Sequence, residues 1–320
     1  MKLWLRVTIS LGLLGLLVVL VPWAEARDAV RRLPPSLWVF VWLGFIAGHA
    51  LSVIKWRLFV NAGHAHLGFR DAVQCYSAGL FANLCLPSIV GGDVLRAVLA
   101  TRFTRRPEAA FLGGVLDRLT DMLGLSLLVG IGGLVAGGAL PGWWGQALQV
   151  GLLVGMGMIG LSLPLILRRP LARWPRKFRR QIGRGLVAVR RLARNPGTAA
   201  LALSLSLAIQ SSFVLLNRGL GEAIGIQVPL AVWFLVWPLA KVASLMPISL
   251  GGLAVREATL ATLLVPFGVP FAVGIVCSLL WQTVLIAGGL VGGLTWLVLD
   301  RTRPVQPVLE RNSATVTGHA

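Results

Sequence analysis

Apolar stretches of bilayer-crossing length recur along this 320-residue chain and constrain it more than any other feature. A hydrocarbon core about 30 Å thick takes roughly 20 apolar residues in helical form to cross. Runs of about that length stand at residues 7–23, 37–59, 110–137, 147–167, 199–217 and 271–299. Backbone N–H and C=O groups in lipid need partners within the same element, so each run is expected to be a helix. With 56% hydrophobic and 13% charged residues, the chain cannot be an ordinary soluble globule. Two further apolar stretches, about 73–90 and about 230–265, are interrupted by proline and paired glycines, which break a straight crossing helix. The predicted fold is an all-α integral membrane protein of about six full transmembrane helices plus two Pro-Gly-Gly re-entrant or broken elements.

Charge then orients the spans. The chain carries 30 Lys and Arg against 11 Asp and Glu, yet much of the excess lies in short stretches beside apolar spans, which fits membrane orientation and anionic lipid and argues against nucleic acid as a partner. The loop at 168–198 holds a run of arginines without an acidic residue in 168–194, so it is expected in the cytoplasm. That places the N-terminus, the 61–110 region and the C-terminus inside, and 24–36, 138–146 and 218–229 outside. Arg27, Arg31 and Arg32 then fall on the outer side, partly offset by Glu25 and Asp28. Lys2 and Arg6 before the run at 7–23, with Ala24-Glu25-Ala26 after it, also suit a cleavable signal peptide; an uncleaved span is expected. Trp38 and Trp42 at one end of the second span and Trp56 at the other suit the two membrane interfaces. Residues 1–300 form one polytopic domain and 301–320 a disordered cytoplasmic tail. Cys75, Cys85 and Cys277 have no CxxC spacing and are expected to be small packing residues.

The two interrupted stretches are related to each other. Shifted by 160 residues, Leu86-Pro-Ser-Ile-Val-Gly-Gly-Asp-Val-Leu-Arg96 falls on Met246-Pro-Ile-Ser-Leu-Gly-Gly-Leu-Ala-Val-Arg256 without a gap. Pro87, Gly91, Gly92 and Arg96 coincide with Pro247, Gly251, Gly252 and Arg256, which sets repeat motifs at 83–100 and 243–260. Three expected crossings lie between them, so the repeat is inverted. Broken elements at matching places in inverted halves point to a transporter's binding site near the midplane; kinks serving only helix packing are the alternative.

Asp93 is suited to cap the helix after Gly92, with Arg96 in its first turn and Arg256 in the matching place. An arginine there opposes the helix dipole, whereas a free helix N-terminus and a guanidinium together suit a phosphate. Arg96 could instead snorkel to the interface, and Arg256 could pair with Glu257. Asp117, Arg118 and Asp121 stand early in the 110–137 span, with the two aspartates sharing a face; they contact either substrate or one another's counter-ions. Lys241 neutralises either an anionic ligand or one of those aspartates. Asn83 and Gln282 are polar groups of the kind that hold two helices together, and His49 is expected to be a satisfied interior histidine. Without GxxxxGK[ST], HExxH or a His/Cys cluster, no cofactor, metal or ATP coupling is expected.

The run from Asn83 to Arg96, then Leu116-Asp-Arg118, then Pro247-Ile-Ser-Leu-Gly-Gly-Leu-Ala-Val-Arg-Glu257, resembles the lysylphosphatidylglycerol synthetase transmembrane-region family. This flippase-like domain also forms the N-terminal half of multiple peptide resistance factors. The resemblance spans the chain to about residue 299. It implies residence in a bacterial inner membrane and movement between leaflets of an anionic phospholipid or a lipid-linked isoprenoid or glycolipid. By motif position, Asn83, Pro87, Gly91, Gly92, Asp93, Arg96, Asp117, Arg118, Gly251, Gly252, Arg256 and Glu257 are the implied site residues. The soluble aminoacyl-transferase half does not occur in this sequence, so lysyl transfer is not expected. Two other readings stay open: a membrane-embedded lipid transferase using Asp93, Asp117 or Asp121 as general base, and an accessory subunit whose basic loop docks a lipid-biosynthesis enzyme.

Overall fold

Proline marks where the long helices start. Pro35, Pro107 and Pro196 open three of them and Pro270 immediately precedes a fourth, positions where the missing N–H would have no intrahelical partner anyway. The structure, a computed structural model, describes residues 23–86, 91–104, 106–137, 196–244 and 254–302. Its helices are α1 (Trp23–Arg32), α2 (Pro35–Ala62), α3 (Phe69–Cys85), α4 (Gly91–Ala100), α5 (Pro107–Gly137), α6 (Pro196–Ala223), α7 (Leu230–Ser244), α8 (Val255–Leu264) and α9 (Phe271–Arg301), with a 3-10 turn at Val265–Phe267. Among the described residues no strand occurs. α2, α5, α6 and α9 are long and apolar enough to cross a membrane, and their outward residues Phe40, Ile131, Val135 and Leu294 are exposed apolar side chains. An all-helical, multi-pass membrane protein results. The runs at 7–22 and 147–167, the basic loop, and the tail beyond Thr302 lie outside the described residues.

The helices recur in order. α2 and α3 start 161 residues before α6 and α7, and α4 and α5 start 164 residues before α8 and α9. The packing recurs as well: α3 lies against α9 and α7 against α5, while α4 packs on α3 and α5 as α8 packs on α7 and α9. At the centre α2 and α6 run antiparallel, Gly44 facing Leu216, Gly48 facing Phe213, and Phe59 clustering with Ala202.

Two stretches expected to be broken are helix pairs. In the first, Gly92 does not end a helix but lies inside α4 where it crosses α3: a Cβ there would stand 2.2 Å from the Gly79 carbonyl oxygen. The small residues bring two backbones together, as in other intramembrane helix contacts. In the second, α7 contains Pro238 in its interior, and α8 begins after Ala254, buried at a positive φ of 68°.

Trp56 corrects an expectation. It is fully buried in the interior, because its ring supports a charged group described below, whereas Trp38 stays half-buried and donates to Thr283 Oγ1 at 2.9 Å. Cys75 and Cys277 are buried as packing residues should be, but Cys85 is exposed at the end of α3.

Candidate functional site: a charged seam through the bundle

Charge inside a membrane bundle has to be answered by charge or by water, and here the answer is internal. Asp117 and Asp121 lie one turn apart on α5 and face the same way. Lys55, buried on α2, bridges them: its Nζ lies 3.1 Å from Asp117 Oδ1 and donates to Asp121 Oδ1. Arg96 of α4 donates to Asp117 Oδ2 at 2.7 Å and lies 3.0 Å from Asp93 Oδ1. Its guanidinium covers the rings of Trp56 at 5.3 Å and Tyr76 at 5.1 Å, where cation–π attraction adds to the pairing. Arg118 meets Asp93 Oδ2 at 2.6 Å. From α6, Ser206 donates to Asp121 Oδ1 at 2.7 Å. Lys55, Arg96 and Arg118 thus meet Asp93, Asp117 and Asp121, three charges of each sign.

The second half is built with fewer acids. Arg256 donates to Glu257 Oε1 at 2.5 Å and to Gln282 Oε1 of α9 at 2.8 Å, while Glu257 is 2% exposed. Lys241, in the last turn of α7, donates to Gln210 Oε1 of α6 at 2.7 Å. Its ammonium sits 5.4 Å from the Phe213 ring centre and 5.2 Å from that of Trp237. Trp281 packs edge-on against Trp237 and near Phe213, completing an aromatic floor under the lysine. Between the halves, His49 lies midway along α2, its Nδ1 3.2 Å from Tyr76 Oη.

Most residues singled out from the sequence fall on this seam. Asp117 and Asp121 share a face and a counter-ion, as their spacing requires. Asn83 and Gln282 each tie two helices: Asn83 Oδ1 accepts the Gly92 N–H at 3.1 Å, satisfying a free donor at the start of α4. Gly91 begins α4, whereas Pro87, Gly251 and Gly252 lie outside the described residues. Asp93 does not cap α4 but stands third in it, since the helix already includes both glycines, with Asn83 serving the Gly92 N–H. Arg96 is accordingly in the second turn, where its Nη2 is held by two carboxylates while its buried Nε has no hydrogen-bond partner among the described residues. Arg256 is the second residue of α8, so the two arginines are about one turn out of register, and Arg256 pairs with Glu257. Lys241 meets no carboxylate within ion-pair distance among the described residues; its hydrogen-bond partner is Gln210.

Lys55 is the principal residue that sequence reasoning missed. The signal was present, a lysine in an otherwise apolar span, where an ionisable group marks function or a partner. Ser206 and Gln210 gave no such signal, because small polar residues are common on helix–helix faces. Among the described residues no group of three His, Cys, Asp or Glu suited to a metal occurs.

A family model described as Lysylphosphatidylglycerol synthase TM region matches residues 3–293. No curated protein gives a significant match, and neither does any solved structure. The match runs through every helix of the seam, and the chain belongs to the lysylphosphatidylglycerol synthase TM-region family.

Proposed function

We propose that the protein moves an anionic phospholipid, or a lipid-linked isoprenoid or glycolipid, between the leaflets of a bacterial inner membrane, its two halves forming an inverted repeat. The observation that carries this reading is the reciprocal packing of the broken pairs α3–α4 and α7–α8 around antiparallel α2 and α6. Broken elements in matched halves are where carriers place a substrate site, and here they border a buried charged seam. The family ties the chain to membrane lipid. In this reading Asn83, Gly91, Gly92, Asp93, Arg96, Asp117, Arg118 and Asp121 build the first wall of the path. Lys241, Arg256 and Glu257 build the second, both termini are cytoplasmic, and no cofactor takes part. Asp93, Asp117 and Asp121 are each held by a cation, so no observation favours a transferase that would use one of them as a free base.

The test is a leaflet-exposure assay. Purified protein in liposomes receives fluorescent phosphatidylglycerol or phosphatidylcholine, and an impermeant quencher is added outside. Protein-dependent quenching beyond the outer-leaflet fraction is expected with the anionic lipid. If neither lipid, nor a polyprenyl-phosphate probe, moves faster than in protein-free vesicles, the reading is wrong.

A further inference from the structure

The two halves differ in their charge balance, and the difference locates the anion. In the first half every cation of the seam already has a carboxylate: Lys55 with Asp117 and Asp121, Arg96 with Asp117 and Asp93, Arg118 with Asp93. In the second, Arg256 is matched by Glu257, and among the described residues Lys241 meets a neutral amide and two aromatic rings. A half-buried ammonium without a counter-ion loses hydration that no charge replaces, and a bound anion would offset that loss. Asp121 is the acid whose charge reaches Lys241, but it is already held by Lys55 and Ser206.

We infer that Lys241, standing on Gln210, Phe213 and Trp237, receives the single net negative charge of a phosphodiester lipid head group, and that Arg96 is a brace. The inference rests on the translocation reading for its setting but not for its chemistry. An ammonium carries three donors, of which the described residues use one, at Gln210 Oε1, leaving two for phosphate oxygens. Gln210, which holds the ammonium through its Oε1, is 2% exposed, so the lysine stands on a fixed support. Half-buried at the end of α7, Lys241 is reached by a head group while the tails remain in lipid. One uncompensated cation selects a monoanionic head group over a zwitterionic one carrying the same phosphodiester.

The experiment measures lipid binding to the full chain in detergent by native mass spectrometry, with phosphatidylglycerol, phosphatidylcholine and inorganic phosphate as probes. The wild type is expected to prefer phosphatidylglycerol to phosphatidylcholine by about tenfold or more, because both offer the same phosphodiester but only the choline cation brings a like charge near the ammonium. Lys241→Gln is expected to lose that preference and Lys241→Arg to keep most of it. Gln210→Glu, which supplies Lys241 with an internal carboxylate and leaves the lysine in place, is expected to lose it as well. This second variant decides the matter if Lys241→Gln does not fold. Preference retained in Gln210→Glu, no preference in the wild type, or displacement of the lipid by inorganic phosphate would each overturn the assignment. Wild-type protein that shows this Lys241-dependent preference yet moves no lipid would overturn the translocation reading alone.

Discussion

Replacing Arg96 by methionine removes one of the two cations that join α4 to α5, the other being Arg118 on Asp93, and the structure sets the size of the effect. The Arg96 and Asp117 side chains are 5% and 6% exposed and meet at 2.7 Å. At an effective dielectric of about 20, two unit charges at that distance attract by about 6 kcal/mol before desolvation is subtracted. Removing one member of a buried pair costs about 3–5 kcal/mol, chiefly through the charge left behind. Asp117 retains Lys55 at 3.1 Å, so Arg96→Met should fall at the lower end, about 3 kcal/mol. Asp117→Asn leaves Arg96 with Asp93 and Lys55 with Asp121 and should cost a similar amount. The double variant should cost less than the sum, with a coupling of about 2 kcal/mol. The assay is reversible unfolding in mixed micelles, titrating SDS and following helical circular dichroism. A cost for Arg96→Met below about 1 kcal/mol, or costs that add within about 0.5 kcal/mol, would refute the brace.

Three further outcomes follow from the same geometry. Lys55→Met should destabilise by about 3–5 kcal/mol in the same titration, since it leaves two interior aspartates short of a cation. Gly92→Ala places a Cβ 2.2 Å from the Gly79 carbonyl oxygen and 2.4 Å from Asn83 Oδ1; α3 and α4 must part, at about 1–3 kcal/mol, and the midpoint of unfolding should drop accordingly. Cys85 is exposed whereas Cys75 and Cys277 are buried, so a maleimide should label the folded protein once and the denatured protein three times, read by intact mass.

Much of this was legible in the sequence because membrane helices are specified by composition. The expected spans 37–59, 110–137, 199–217 and 271–299 sit inside α2, α5, α6 and α9, each within a few residues. The 160-residue spacing of Pro, paired Gly and Arg pointed to a recurrence, and the helices do recur, but at offsets of 161 and 164 residues and with Arg96 and Arg256 about one turn apart in their helices. Register was not legible: Gly91 and Gly92 read as a chain break, yet Gly92 serves a close crossing of two helices, and only a neighbour from elsewhere in the chain, Gly79, reveals that. Partners were not legible for the same reason. Trp56 reads as an interface anchor until Arg96, 40 positions away, is seen lying over its ring. Lys55 reads as one more charge in a span until Asp117 and Asp121 close on it.

Whether the two halves face opposite leaflets is tested most simply by side-specific labelling of the two matching turns. Arg102, between α4 and α5, and Val265, between α8 and α9, are both exposed. In a Cys85→Ser background, cysteine is placed at one or the other and an impermeant maleimide is applied to intact cells and to inverted membrane vesicles. Arg102→Cys is predicted to be labelled in inverted vesicles alone and Val265→Cys in intact cells alone. Labelling of both from the same side would contradict the inverted architecture and the translocation built on it.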